Sequence, residues 1–302
     1  MGFTLSEVGR LTRVLMKHPR DAFIDQATID SQWKKLNFSA PPDFARAVDE
    51  YDRLLDLIES TGAKIDLLPR HDSTTLDSMY VRDASVVCDR GTILCNMGKP
   101  QRAAEPSAQR ETLAKLGAPV ETIVGTIRSP GRLEGGDVVW LDSRTIAVGE
   151  GYRTNAEGIR QLRKLLGDSV DEFLIVQLPH WRGAGEVLHL MSLISPVDRS
   201  LAAVYSPLLP APFRQQLLAR DVELVEVPTD EFESMGTNVL ALSPHRCVML
   251  SGNPQTRRAL ERAGSEVLEY EGAEISVKGA GGPTCLTRPL ARTAEILPFC
   301  LE

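Results

Sequence analysis

Four stretches of this chain share one shape: an apolar run rich in β-formers, a tight polar turn, and a second such run. They are "ASVVCDRGTILCNMG" (84–98), "DVVWLDSRTIAVGEG" (137–151), "MSLISPVDRSLAAVYSP" (191–207) and "NVLALSPHRCVMLSG" (238–252). The turns Asp-Arg-Gly, Asp-Ser-Arg, Val-Asp-Arg and Pro-His-Arg are plausible hairpin connections. The units recur about every 50 residues, a period that points to a propeller or an array. A further stretch, "VLMKHP" (14–19), reads as a lone strand whose partner is the C-terminal "PTCLTRPL" (283–290).

Helical patterns lie between the hairpins. In "FARAVDEYDRLLDLIESTG" (44–62), Phe44, Ala47, Val48, Tyr51, Leu54, Leu55 and Ile58 fall at helical spacing, and Gly62 is the expected C-cap. "AEGIRQLRKLLGD" (156–168) and "PQTRRALERAG" (254–264) repeat the design. Each is followed by a short apolar strand, "KIDLLP", "LIVQLP" or "SEVLEY", so the repeating unit is strand, strand, helix, strand. No Gly/Pro/Ser-rich linker divides the 302 residues, and one closed catalytic domain over 1–302 is expected; two sandwiched α/β halves are the alternative.

Composition excludes several function classes. With 25% charged residues scattered along the chain and a net charge of −7, no basic face offers itself to nucleic acid. No apolar run approaches the roughly 18 residues of a membrane span. The start lacks the charged and apolar regions of a signal peptide. "MGFTLS" fits the loose myristoylation pattern, which is short and commonly accidental. Five cysteines, an odd count without CxxC spacing, fit a reduced cytoplasmic protein and argue against a zinc site. Cys88, Cys95, Cys247 and Cys300 read as small buried hydrophobes.

The residues at the start of each hairpin carry chemistry. "LDSMYVRD" supplies Asp77, Arg82 and Asp83; "GRLEGGD" supplies Glu134 and Asp137; "GEVLHL" supplies His189; "ESMGTN" precedes the fourth hairpin. Cys285 sits in "GGPTCLTRPL", behind two glycines that would let a substrate approach closely. Each has an ordinary reading: a core histidine, a turn-capping acid, a buried thiol. Their shared phase in the repeat lifts the joint reading, in which equivalent positions converge on one pocket.

At these motifs the chain resembles the pentein, or guanidino-group-modifying, superfamily. It is most similar to dimethylarginine dimethylaminohydrolases, with arginine deiminases next. "LDSMYVRD", "LEGGD", "RTNAEG", "LHL" and "GGPTCLTRP" occur in order over nearly the whole chain. The resemblance implies a five-bladed α/β propeller of ββαβ units, in agreement with the repeats. It implies a hydrolase acting on linear amidines with no metal or organic cofactor: Cys285 as nucleophile, His189 as proton carrier, Glu134 orienting His189, and Asp83 with Glu134 gripping the guanidinium. It also implies that Arg102 and Arg153 bind the α-carboxylate and Asp77 the α-amino group, with the Gly279 carbonyl assisting. The segment 21–40 is the expected lid. The expected substrate is an N-methylated arginine, converted to citrulline through a thiouronium intermediate; a homodimer is compatible with the pattern.

Two departures set the alternatives. Arg82-Asp83 stands where dimethylarginine hydrolases usually read Glu-Asp, and Arg82 in the pocket would repel a guanidinium; the preferred reading turns it away to pair elsewhere. Met191 stands where arginine deiminases carry an aspartate, which favours methylated over free arginine. Arginine deiminase or dihydrolase activity is the alternative. A non-catalytic pentein binding protein is the remote one.

Overall fold

Every expected hairpin is present in the computed structural model, which describes residues 6–117 and 119–293. The antiparallel pairs are Ser85–Cys88 with Gly91–Leu94, Val138–Trp140 with Thr145–Glu150, Ile194–Asp198 with Leu201–Val204, and Val239–Ser243 with Arg246–Leu250. A third strand then adds in parallel to each: Ile123–Thr126, Glu172–Gln177, Glu223–Glu226 and Glu266–Tyr270. Leu11–Met16 pairs antiparallel with Arg288–Arg292 and parallel with Lys64–Leu67, so the two ends of the chain complete the fifth sheet. Five three-stranded sheets form a five-bladed α/β propeller.

The parallel third strand explains the helices. An antiparallel pair can be joined by a tight turn, but a parallel strand needs a crossover, usually helical. Phe44–Glu59 starts where the Asp43 carboxylate accepts the Arg46 N–H at 2.9 Å and buries Ala47, Tyr51, Leu54 and Ile58. Its buried Glu50 accepts the N–H groups of Glu274 at 2.8 Å and Ile275 at 3.2 Å. That bond docks the helix on the π turn Ala273–Val277, which leads into the Cys285 loop. Ala156–Leu166 packs Ile159, Leu162 and Leu166 against Ile93 and Val138 from two sheets.

Three features differ from the sequence reading. Helices Glu105–Leu113 and Ala211–Leu218, with strands Ile123–Thr126 and Glu223–Glu226, complete units in which no such elements were expected. The buried face of Glu105–Leu113 includes Glu105 and Gln109, so it lacks an apolar period. The C-terminal strand starts only at Arg288. Before it, Cys285 and Leu286 both donate to Gly282 O, at 3.0 and 3.1 Å, and hold the thiol in a turn rather than a strand.

Cys88, Cys95 and Cys247 are buried as expected, and burial pushes the Cys247 thiol up to about 12. Cys300 and the N-terminal myristoylation pattern's first five residues lie outside the described residues. No helix among the described residues is long and apolar enough to cross a membrane.

The packing makes a direct prediction. Leu54 is 0% exposed in the core, so Leu54→Ala is expected to lower stability by about 2–5 kcal/mol. Leu218 is 46% exposed, and Leu218→Ala should stay within about 0.5 kcal/mol. Urea unfolding of the two variants checks this; comparable midpoint shifts would contradict the assigned core.

Candidate active site

The starts of the inner strands do converge. Asp83 lies in the turn Val81–Ala84 before Ser85–Cys88, and Glu134 precedes the turn Gly135–Asp137 before Val138–Trp140. His189 precedes the turn Leu190–Ser192 before Ile194–Asp198, and Cys285 closes the set before Arg288–Arg292. Gly136 permits a close approach: a Cβ there would stand 2.5 Å from His189 Nδ1 and 2.7 Å from Asp83 Oδ1.

Charge–charge contacts organise this cluster. His189 Nε2 donates to Glu134 Oε2 at 2.7 Å, while Nδ1 lies 3.7 Å from Asp83 Oδ1. Glu134 also receives Arg153 Nη1 at 3.2 Å and the N–H groups of Gly98 and Lys99 at 2.9 and 3.1 Å. Asp83 receives Arg102 Nη1 at 2.5 Å and the Gly136 N–H at 2.9 Å. Arg102 in turn donates to both oxygens of Glu105, at 2.9 and 2.8 Å, and to Tyr80 O at 2.7 Å.

These contacts set the protonation states. Burial would raise the Glu134 carboxyl, but the His189 hydrogen bond and the charges of His189 and Arg153 hold it well below the usual range. Burial would lower His189, yet the charges of Asp83 and Asp137 and the bond to Glu134 raise it to about 9. The imidazole is therefore an imidazolium at neutral pH. Burial pushes Asp137, whose Oδ1 accepts the Leu190 N–H at 3.0 Å, up to about 6. Burial also raises the half-buried Cys285 thiol, and the Asp83 charge adds to this. Hydrogen bonds from Asn238 Nδ2, at 3.5 Å to Sγ, and from Thr284 act in the opposite direction.

Two cavities meet at Cys285 and His189. The larger, of 310 Å³, contains Asp77, Asp83, Arg102, Arg153 and Gly279 in its wall, along with Leu36 and Asn37 from the segment expected as lid. The smaller, of 100 Å³, is lined by Met191, Phe232, Met235, Trp181 and Glu186. Most of the predicted residues are thus gathered, with three differences in detail. Arg82 points away, as preferred: its guanidinium pairs with Glu7 at 3.2 Å, and it lines neither of these two cavities. Arg102 spends most of its donors on Asp83, Glu105 and Tyr80 O, leaving one N–H uncommitted among the described residues. The glycines before Cys285 admit protein rather than only substrate: a Cβ on Gly281 would stand 2.3 Å from the Tyr80 ring, and one on Gly282 2.5 Å from the Asn238 amide.

Sequence reasoning missed Asn238 and Lys99. Asn238 ends "ESMGTN" at the same phase as the others; its Oδ1 accepts the Thr284 N–H at 3.0 Å while its amide faces the thiol. Lys99 Nζ forms an ion pair with Asp77 at 2.6 Å and donates to Leu36 O at 2.7 Å, contacts with no local sequence signal. Donor atoms of Asp83, Glu134 and His189 lie within 4.8 Å of one another. A metal ion there would have to displace the Arg102, Arg153 and backbone partners and the imidazolium proton.

Fold and site together define the guanidino-modifying class of α/β propellers, in which a thiol faces paired carboxylates at the blade starts. The comparisons narrow that class. A sequence model of the family "N,N dimethylarginine dimethylhydrolase, eukaryotic" matches residues 19–292, and the chain belongs to this family. The uncharacterized protein YkgA of Bacillus subtilis is 28% identical over 95% of this chain and 94% of its own. The N(G),N(G)-dimethylarginine dimethylaminohydrolase of Streptomyces coelicolor is 30% identical over 81% of this chain and 86% of its own. A structure of the Pseudomonas aeruginosa dimethylarginine dimethylaminohydrolase, a cysteine-to-serine mutant complexed with citrulline, superposes with a TM-score of 0.74 at 23% identity, covering 92% of this chain and 98% of the other.

The His189–Glu134 pair gives a titration prediction. The His189 ring should titrate near pH 9 by NMR, and Glu134→Gln should bring it down toward 6.5. Because the folded value is raised, the associated stability is full below pH 6.5 and is lost as pH climbs through about 9. The Gln variant should show a flatter stability profile over that window. An unchanged His189 titration would contradict the pairing.

Proposed function

We propose that this chain is a single-domain cysteine-dependent hydrolase that converts N-methylated arginine to citrulline and methylamine or dimethylamine. The observation that carries this reading is the meeting of Cys285 with the His189–Glu134 pair where two cavities join, one bounded by Asp77, Asp83, Arg102 and Arg153 and the other by Met191, Phe232 and Met235. Arg153 binds the substrate α-carboxylate with the donors it does not give to Glu134, and Arg102 adds its one remaining N–H. The α-amino group approaches Asp77 and the Gly279 carbonyl, competing with Lys99 for the carboxylate. The guanidinium lies beside Asp83, with its substituted nitrogen toward Met191, Phe232 and Met235; Glu134, which lines neither cavity, acts through His189 instead of gripping the substrate.

The resting thiol is held up partly by the Asp83 charge. A bound guanidinium offsets that charge and favours the thiolate, whose proton leaves to solvent. Cys285 Sγ bonds to the guanidinium carbon; as the C–N bond breaks, His189 gives its proton to the departing amine. The now neutral imidazole takes a proton from water, which attacks the thiouronium carbon. The added hydroxyl then gives its proton to solvent as the C–S bond breaks, releasing citrulline and the thiolate. Glu134 keeps the imidazole oriented and supports its charged form. This chemistry is consistent with a cytoplasmic enzyme that uses no metal or organic cofactor.

One observation favours the alternative, free arginine. Glu186 lines both cavities, and its carboxylate is a candidate acceptor for an unmethylated nitrogen. Against it, Met191 is 3% exposed and offers that nitrogen no acceptor. An unpartnered buried donor costs roughly 1–3 kcal/mol. The expected outcome is therefore a specificity constant for asymmetric dimethylarginine about tenfold or more above that for arginine. Met191→Asp should move the preference toward arginine. Side-by-side constants settle the point, and arginine equal or ahead in the native protein would establish the deiminase or dihydrolase alternative.

The nucleophile assignment predicts that Cys285→Ser loses turnover by a factor of at least about 1,000, while circular dichroism stays native, because a serine hydroxyl supplies far less anion. Retained ureido formation in a colorimetric assay would remove the covalent step.

A further inference from the structure

Behind the Cys285 loop, on the side of Arg82 away from the two cavities, three guanidiniums gather around one carboxylate. Arg82 is 1% exposed, and Arg288 and Arg292 are each 4% exposed. Glu7, the carboxylate, is already held by Arg82 Nη1 at 3.4 Å and Nη2 at 3.2 Å. Arg288 gives one N–H to Arg82 O, and Arg292 Nη1 donates to Gly9 O at 2.6 Å and Ala241 O at 2.9 Å. That leaves Arg288 Nε and Arg292 Nε and Nη2 buried without a partner among the described residues. These residues and Glu7 border a space of 30 Å³.

A surplus of buried positive charge with unused donors is costly unless something compensates it. Burial and the Arg82 charge push Arg288 down to about 9, so it remains charged at neutral pH. Asp83, the next carboxylate, is committed to Arg102 and the Gly136 N–H on the active-site side. A water molecule could satisfy donors but would leave the charge. The 30 Å³ open to the centre of a water-sized probe is enough for a water or a monatomic anion.

We infer that this pocket binds a small monovalent inorganic anion, of which chloride is the abundant case, between the guanidiniums of Arg288 and Arg292. The site is structural and reaches the nucleophile through Arg82. Arg82 Nε donates to Thr284 O at 3.1 Å and its N–H to Cys285 O at 3.2 Å. Anion binding offsets the repulsion among the three arginines and so secures the strut that holds the thiol loop.

The test uses the full chain with chloride and bromide as probes. Replacing potassium gluconate by potassium chloride at fixed ionic strength should raise the melting temperature saturably, by about 2–4 °C. Crystals soaked in bromide should show an anomalous peak between Arg288 and Arg292. Arg292→Met, which removes both of its free donors, should abolish the chloride dependence; if that variant does not fold, the bromide map of the native protein decides. Bromide confined to the surface, equal melting temperatures in the two salts, or an undiminished chloride effect in a folded Arg292→Met protein would each overturn the site.

Discussion

Two carboxylates, Asp83 at 3% and Glu134 at 0% exposure, sit almost wholly out of water at the head of the propeller channel. An ionised carboxylate in such a place is tolerated only when donors and cations surround it. That requirement organises the site. It draws the Gly98–Lys99 backbone and Arg153 to Glu134, and Arg102 with the Gly136 N–H to Asp83. It also fixes His189 as an imidazolium, since one ring nitrogen donates to Glu134 and the other faces Asp83. In the proposed reaction, the proton for the leaving group is thus stored by the charges of Asp83, Asp137 and Glu134.

The same field works against the nucleophile at rest. Asp83 and burial hold the Cys285 thiol up, so an unoccupied site carries little thiolate. In the proposed reaction, a guanidinium arriving beside Asp83 reverses that balance. A raised thiol is a weak nucleophile at neutral pH, so reactivity toward oxidants and stray electrophiles is low at rest. The rigid frame behind it, from Glu50 on the π turn to Arg82 on the thiol loop, holds Cys285 in position.

Much of this could be read in the sequence because the propeller repeats. The four hairpins announce themselves by apolar runs about tight turns, and Asp83, Glu134, His189 and Cys285 share one phase in that repeat. Asn238 shares it too and could have been found by the same rule. What escaped has physical reasons. Glu105–Leu113 buries polar Glu105 and Gln109, because Glu105 must answer Arg102 and Gln109 bonds Ser85 and Val81 O, so no apolar period marks the helix. Lys99 and Asp77 lie on either side of the first hairpin and meet only once it forms, and the Arg82–Glu7 pair joins residues distant in sequence. The glycines before Cys285 were legible as a close approach, but the approaching partners, Tyr80 and Asn238, come from other blades.

The central claim is that the guanidinium carbon becomes bonded to Cys285 during turnover. Acid-quenching the enzyme during steady-state turnover of asymmetric dimethylarginine, followed by intact-protein and peptide mass spectrometry, tests it directly. The account predicts a transient mass increase equal to the substrate less dimethylamine, located on the peptide that carries Cys285 and lost on continued incubation. Turnover with no such adduct, or an adduct on Cys88, Cys95 or Cys247, would contradict it.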